Sequence, residues 1–340
     1  AMVDHRPDDV APASPLLLVV DTTNGLNDLA RAARARTKAK IAAVTGSVGK
    51  TGTKEALHHV LGQQGLTHVS EKSFNNHVGT PLSLARMPKA TAFGVFEVGM
   101  NQPGEIEPLA SLVRPHVALV TTVEAVHAAN FENEEGIAAE KACIFDGLEK
   151  GGVAIINGDN RHADALMACA EASPAGSVVR FGASEDFEHR LLAWTDNDHG
   201  GTVSALIAGE SVDYKLSLSG QHQALNSVAV LAVVHHLGGD VAKAASDLER
   251  LQPMAGRGAR HNVRVSGGNV TILDESYNAS PVALRAALAV LTQTQTGPGG
   301  RRIAVLGDML ELGDDAIALH TGLLGDLIQH KVDLLFAVGP

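Results

Sequence analysis

Residues 41–51 read IAAVTGSVGKT, and residues 52–65 continue as GTKEALHHVLGQQG. The apolar run Ile41 to Val44 predicts a buried strand, the glycines a tight turn, and the stretch after Thr51 a helix. In that order, the backbone N–H groups of Gly46, Ser47, Val48 and Gly49 and the positive end of the helix would face an anion. Lys50 would reach the β and γ phosphates of a nucleotide, and the Thr51 hydroxyl would sit on a magnesium ion. Val44 stands where the first glycine of the common GxxxxGKT string would be, so the string alone is weak. The strand before it and the helix after it favour a phosphate site over an ordinary strand-to-helix turn.

Composition bounds the rest. A chain of 340 residues has room for two or three domains. Hydrophobic residues make up 45% and charged residues 19%, a balance that supports sizeable cores, and 3% aromatic content leaves those cores to Ala, Val, Leu and Ile. A formal charge of −11 argues against broad nucleic-acid binding and confines anion recognition to local clusters such as Lys50, or Arg257 with Arg260. Cys143 and Cys169 form no CxxC pair, which predicts two thiols packed as small hydrophobes in a reducing compartment. The run Leu16 to Val20 reads as one buried strand, too short for a signal peptide or a membrane span, so a cytoplasmic protein is expected.

From Ile41 onward strands and helices alternate, the signature of a mostly parallel α/β sheet. Strands are expected at 41–45, 92–98, 117–123, 153–157 and 178–182, with helices near 52–63, 104–112, 136–148 and 161–172 between them. The β-type segments of 190–218 suggest antiparallel hairpins at the sheet edge, followed by helices near 221–237 and 240–251. Pro253, Gly256 and Gly258 break the pattern and mark a boundary, after which the alternation restarts at 269–274. The pattern stops after a strand at 333–338 with no helix to cover it, and residues 1–40 are too few for a domain, so a fragment cut at both ends is expected.

Several later strings join the phosphate loop: NNHVGTPLSL (75–84), EVGMNQPGEI (97–106), RPHVALVTTVEAVH (114–127), KACIFDGL (141–148), NGDN (157–160), GRGARH (256–261), DESYNASP (274–281) and GDMLELG (307–313) with His320. In this order they resemble the Mur ligase family of ATP-dependent amide ligases. DESYNASP and GDMLELG are most similar to the members that add D-alanyl-D-alanine to UDP-N-acetylmuramoyl-tripeptide in cell-wall precursor synthesis. The resemblance implies a remnant of a UDP-sugar domain (1–40), a central P-loop ATPase domain with a parallel sheet (41–255) and an incomplete C-terminal Rossmann-like domain (256–340). It also implies a monomer that uses ATP and Mg²⁺, while the charge and the short apolar runs lead us to expect no nucleic-acid partner and no membrane span.

Residue by residue, the resemblance places Glu97 and His127 on metal and makes Lys141 a carbamylated lysine that also binds metal, a role that needs an unprotonated amine. By themselves, His127 reads as a loop or capping histidine and Lys141 as a solvated helix lysine. Cys143 stands where many relatives carry an acid. Asn75 and Asn76, otherwise a turn before Gly79 and Pro81, fall beside the UDP-linked peptide. Asn226 falls on adenine, on the same helix face as His222. Arg257 falls on the phosphates, Asp274 on the ribose or nucleotide, and Tyr277 and Asn278 in the same cleft. Asp308, Glu311 and His320 are expected to shape the D-alanyl-D-alanine side. Trp194 and the pair His235 and His236 have no motif around them and read as structural. The competing readings are another Mur-type amino-acid ligase, an ATP-binding fragment without full activity, and a nucleotide switch or kinase; the last lacks an NKxD string and the kinase signatures.

Overall fold

The computed structural model describes residues 1–125, 130–197 and 200–339. Two short paired strands, β1 (Met2–Val3) and β2 (Leu17–Leu18), precede helix α1 (Thr22–Arg36). Strands and helices then alternate: β3 (Lys40–Thr45), α2 (Lys50–Gly62), β4 (Thr67–Val69), α3 (Gly79–Ala85), β5 (Phe93–Glu97), α4 (Ile106–Val113), β6 (Val117–Val120), α5 (Glu134–Ala142), β7 (Val153–Asn157), α6 (Ala163–Ala172) and β8 (Ser177–Gly182). Next come β9 (His189–Asn197), β10 (Gly200–Ile207) and β11 (Glu210–Leu216), then α7 (Gln221–His236) and α8 (Val241–Asp247). The last stretch holds β12 (Ala259–Val265), β13 (Gly268–Asp274), α9 (Pro281–Gln293), β14 (Ile303–Leu306), α10 (Ala316–Gln329) and β15 (Leu334–Ala337).

Nine strands form one sheet in the order β11-β10-β9-β8-β7-β6-β3-β5-β4. It is parallel from β4 to β9, and β10 and β11 extend it antiparallel. Side chains alternate across β3: Ala42 and Val44 join the core under α2, α7 and α8, while Ile41 and Ala43 join the core on the other face with α4 and α5. A strand buried on both faces reads as an unbroken apolar run, which is why IAAV was legible. The chain moves from β3 outward to β4, returns to β5, and then crosses to β6 on the other side of β3. This reversal opens a crevice at the carboxyl ends of β3, β5 and β6, the usual ligand site of an open α/β sheet.

The edges of this sheet are short or charged: β4 has 3 residues, and β11 carries Glu210, Asp213 and Lys215. β12 and β13 pair as a separate antiparallel hairpin, and β14 and β15 pair in parallel. Val263, Val265, Val270 and Ile272 all lie exposed on one face of that hairpin.

Four expectations need correction. Leu16 to Val20 is not a buried strand: only Leu17–Leu18 pair, both exposed, and Val20 is fully exposed. The helix expected at 136–148 runs from Glu134 to Ala142 and is followed by a separate 3₁₀ turn at Phe145–Gly147. The boundary region already contains the start of β12, which composition did not reveal. Cys169 is exposed rather than packed. Among the described residues, no helix is long and apolar enough to cross a membrane.

Candidate active site

The phosphate loop leaves the carboxyl end of β3, and its shape depends on two glycines with positive φ, Gly46 at 147° and Gly49 at 86°. A Cβ on Gly46 would run into the Thr121 hydroxyl. That hydroxyl donates to the Val48 carbonyl at 2.6 Å, the Ser47 N–H donates to the Thr122 carbonyl at 2.8 Å, and the Ser47 hydroxyl donates to the Glu124 carbonyl at 2.9 Å. The loop is thereby fastened to the segment that leaves β6. Lys50, at the first position of α2, donates to the Gly46 carbonyl at 2.6 Å. Burial lowers its pKa; the charge of Glu97 acts against that shift and Arg257 adds to it.

Glu97 ends β5 at 1% exposure. Its Oε1 accepts from Asn75 Nδ2 at 2.7 Å, whereas Oε2 is buried with no hydrogen-bond partner. An orphaned carboxylate oxygen is unfavourable unless a cation completes it, and a hard divalent ion is the natural partner. Glu97 and the buried Thr51 both line the cleft, so the donor set fits magnesium. His127 lies outside the described residues. Lys141 is 2% exposed on α5 and does not line the cleft. Burial, reinforced by Lys50, pushes its pKa well down, toward the unprotonated amine that carbamylation requires.

The cleft has a volume of about 560 Å³ and is walled on its far side by the segment after residue 250. Arg257 stacks on the Tyr277 ring with its guanidinium carbon 4.2 Å from the centroid. Tyr277 reaches back across the cleft, its hydroxyl 2.7 Å from the Ser73 hydroxyl. Asn75, Asn76, Asn226 and Asn278 line the same space, Asn226 lying against Gly49. His222 lines it too, and burial pushes its pKa down to about 4. Glu275 lines the cleft as well. Burial and the charge of Asp274 raise its pKa to about 7, against the pull of Arg257 and of the Gly258 N–H.

Asp274 does not line the cleft: its carboxylate accepts from the Gly256 N–H at 3.0 Å and from the Ser276 hydroxyl at 2.6 Å, shaping the turn that presents Arg257 and Tyr277. Asp308, Glu311 and His320 do not line it either. His320 accepts from the Met309 N–H at 3.0 Å and bonds the Ala316 carbonyl at 2.7 Å, holding its own loop.

A family model for the Mur ligase middle domain matches residues 44–234, and one for the Mur ligase glutamate ligase domain matches 259–340. The chain belongs to the Mur ligase family. This Mur ligase is 30% identical over 339 residues to UDP-N-acetylmuramoyl-tripeptide–D-alanyl-D-alanine ligase of Rickettsia prowazekii, covering 100% of the chain and 74% of the relative. Its fold matches a crystal structure of MurF from Acinetobacter baumannii with a TM-score of 0.89 at 29% identity, over 100% of the chain and 72% of that structure. It also matches MurF ligase from Thermotoga maritima in complex with ADP, with a TM-score of 0.81 at 25% identity, over 98% of the chain and 78% of that structure.

Three residues of the Mur ligase site escaped the sequence reading: Thr121, Ser73 and Glu275. Thr121 lies within a quoted string, but its task follows from β6 being the neighbour of β3, which no spacing reveals. Ser73 matters only through Tyr277, 204 positions away.

Proposed function

We propose that the protein is an ATP-dependent ligase that joins D-alanyl-D-alanine to UDP-N-acetylmuramoyl-tripeptide in peptidoglycan precursor synthesis. The observation that carries this reading is a single cleft into which the phosphate loop, the orphaned Glu97 oxygen, Asn75 and the Arg257–Tyr277 wall all open. The tripeptide carboxylate attacks the γ-phosphorus of ATP, releasing ADP and forming an acyl phosphate. The dipeptide amine then adds to the acyl carbon, and the tetrahedral intermediate expels phosphate as the nitrogen gives up a proton. Such chemistry depends on positioning and on neutralising phosphate charge.

In this reading Gly46 to Gly49 present N–H groups to the phosphates, Lys50 and Arg257 neutralise them, Asn226 meets the adenine and Asp274 belongs to the nucleotide side. Asn75 and Asn76 hold the acceptor peptide, while Tyr277 and Asn278 face the incoming dipeptide. Thr51, Glu97, His127 and a carbamylated Lys141 would hold Mg²⁺, which supplies charge neutralisation to the transferring phosphoryl group. Residues 1–40 then serve the UDP-sugar side, and residues 41–255 and 256–340 serve as the ATPase domain and the closing domain of a cytoplasmic monomer.

The test is Mg²⁺-dependent phosphate release from ATP with UDP-N-acetylmuramoyl-tripeptide, with and without D-alanyl-D-alanine. Release that needs both partners supports the reading, and Lys50→Ala should abolish it. Release with a single amino acid but not with the dipeptide would point to a different Mur-type ligase.

A further inference from the structure

Lys54 belongs to none of the motifs above, yet it has no solvent exposure. It lies one turn after Lys50 on α2 and points into the protein rather than into the cleft. Its ammonium donates to the Ser70 carbonyl at 2.8 Å and to the Lys72 carbonyl at 2.5 Å, and pairs with Glu55 Oε1 at 2.8 Å. Two of its three N–H donors go to these carbonyls, and its charge is matched by Glu55. A buried ammonium is tolerated only when satisfied in this way, so both carbonyls are held firmly.

Those carbonyls belong to the loop after β4. Lys72 has a φ of 48°, a left-handed conformation that a non-glycine residue keeps only when its surroundings impose it. The next residues are the ones that enter the site. Ser73 meets Tyr277 across the cleft, and Asn75 donates to Glu97 while its carbonyl accepts from the Gly99 N–H at 2.8 Å. The Ser70 hydroxyl also accepts from the Glu97 N–H at 3.4 Å.

We propose that Lys54 is a positioning residue for the ligase reaction, fastening the 70–76 loop to the phosphate-binding helix so that Asn75 orients the Glu97 carboxylate and Ser73 meets the opposite wall. Lys54 touches no substrate; it acts through the loop. The inference rests on the ligase reading for its kinetic arm and is independent of that reading for its structural arm.

The experiment compares Lys54→Met and Asn75→Ala, singly and together, in the otherwise unaltered protein. In the ligand-free protein, amide hydrogen exchange at residues 70–76 should quicken by about ten-fold or more in Lys54→Met, with the β3 and β6 amides unchanged. With both substrates present, each single variant should lower kcat with little change in KM for ATP. The double variant should fall no more than about two-fold below the worse single one, because both changes break one chain of contacts. Unchanged exchange at 70–76 overturns the proposal whatever the activity, and so do kcat losses that simply multiply. If Lys54→Met does not fold, Lys54→Gln, which keeps a donor for one carbonyl, faces the same criteria. A wild-type enzyme that releases no phosphate counts against the ligase reading and leaves the exchange result to decide the role of Lys54.

Discussion

His189 provides a stability test whose size can be worked out from the structure. It is fully buried on β9, with its Nε2 3.0 Å from His236 Nε2 and its Nδ1 without a partner. Two N–H groups cannot face each other at that distance, so at least one ring must be neutral. His235 stands at the edge of the pair, its ring centroid 4.9 Å from that of His236. Burial, aided by His236 and His235, pushes the pKa of His189 down to about 3. Burial and His235 push His236 down to about 4, with Glu188 pulling the other way. In the unfolded chain both should titrate near ~6.5. Below that pH the unfolded state therefore binds more protons than the folded one, so stability is intact above it and is lost as pH falls toward the folded values. Between pH ~7.5 and ~5.5 each histidine should remove roughly 1 to 2 kcal/mol, and the pair about 3 kcal/mol. The perturbation is His189→Gln, which keeps a polar partner for His236 but does not titrate. Urea unfolding at the two pH values gives the acid-induced loss for each protein. The variant is expected to lose roughly 1 to 2 kcal/mol less than the wild type. Equal losses in the two proteins would show that His189 does not titrate between the folded and unfolded states, refuting the reasoning.

Two further outcomes are expected at the site. Arg257→Lys keeps the charge but loses the planar stack on Tyr277, so kcat/KM for ATP should fall by about 5- to 30-fold while the thermal midpoint stays close to that of the wild type. Gly46→Ala forces a side chain onto a backbone with φ of 147° and into Thr121. Titration with a fluorescent ATP analogue should show nucleotide binding lost, with the circular dichroism of the sheet retained.

The central sheet was legible because β3, β5, β6 and β7 are covered on both faces and read as continuous apolar runs bounded by turn residues. Segments with weak coverage were not. β4 has 3 residues, and β12, reading ARHNVRV, is mostly exposed, so neither shows an apolar run. Leu16 to Val20 erred the other way, as an apolar run without a core to enter. At the site, sequence order supplied the phosphate loop and Glu97, because their chemistry is local. It could not supply Thr121, Ser73 or Lys54, whose tasks exist only once β6 lies beside β3 and the 70–76 loop lies beside α2.

The sheet edges described above have a bearing on solubility. An open strand edge invites pairing with another molecule, and short length or alternating charge discourages it. β4 is protected by the first device and β11 by the second, so self-association is directed elsewhere. The β12–β13 hairpin is where it would begin, since Val263, Val265, Val270 and Ile272 present an uncharged β-branched face to water. Precipitation at high concentration should therefore yield to a single lysine at position 270 and be indifferent to charge changes on β11.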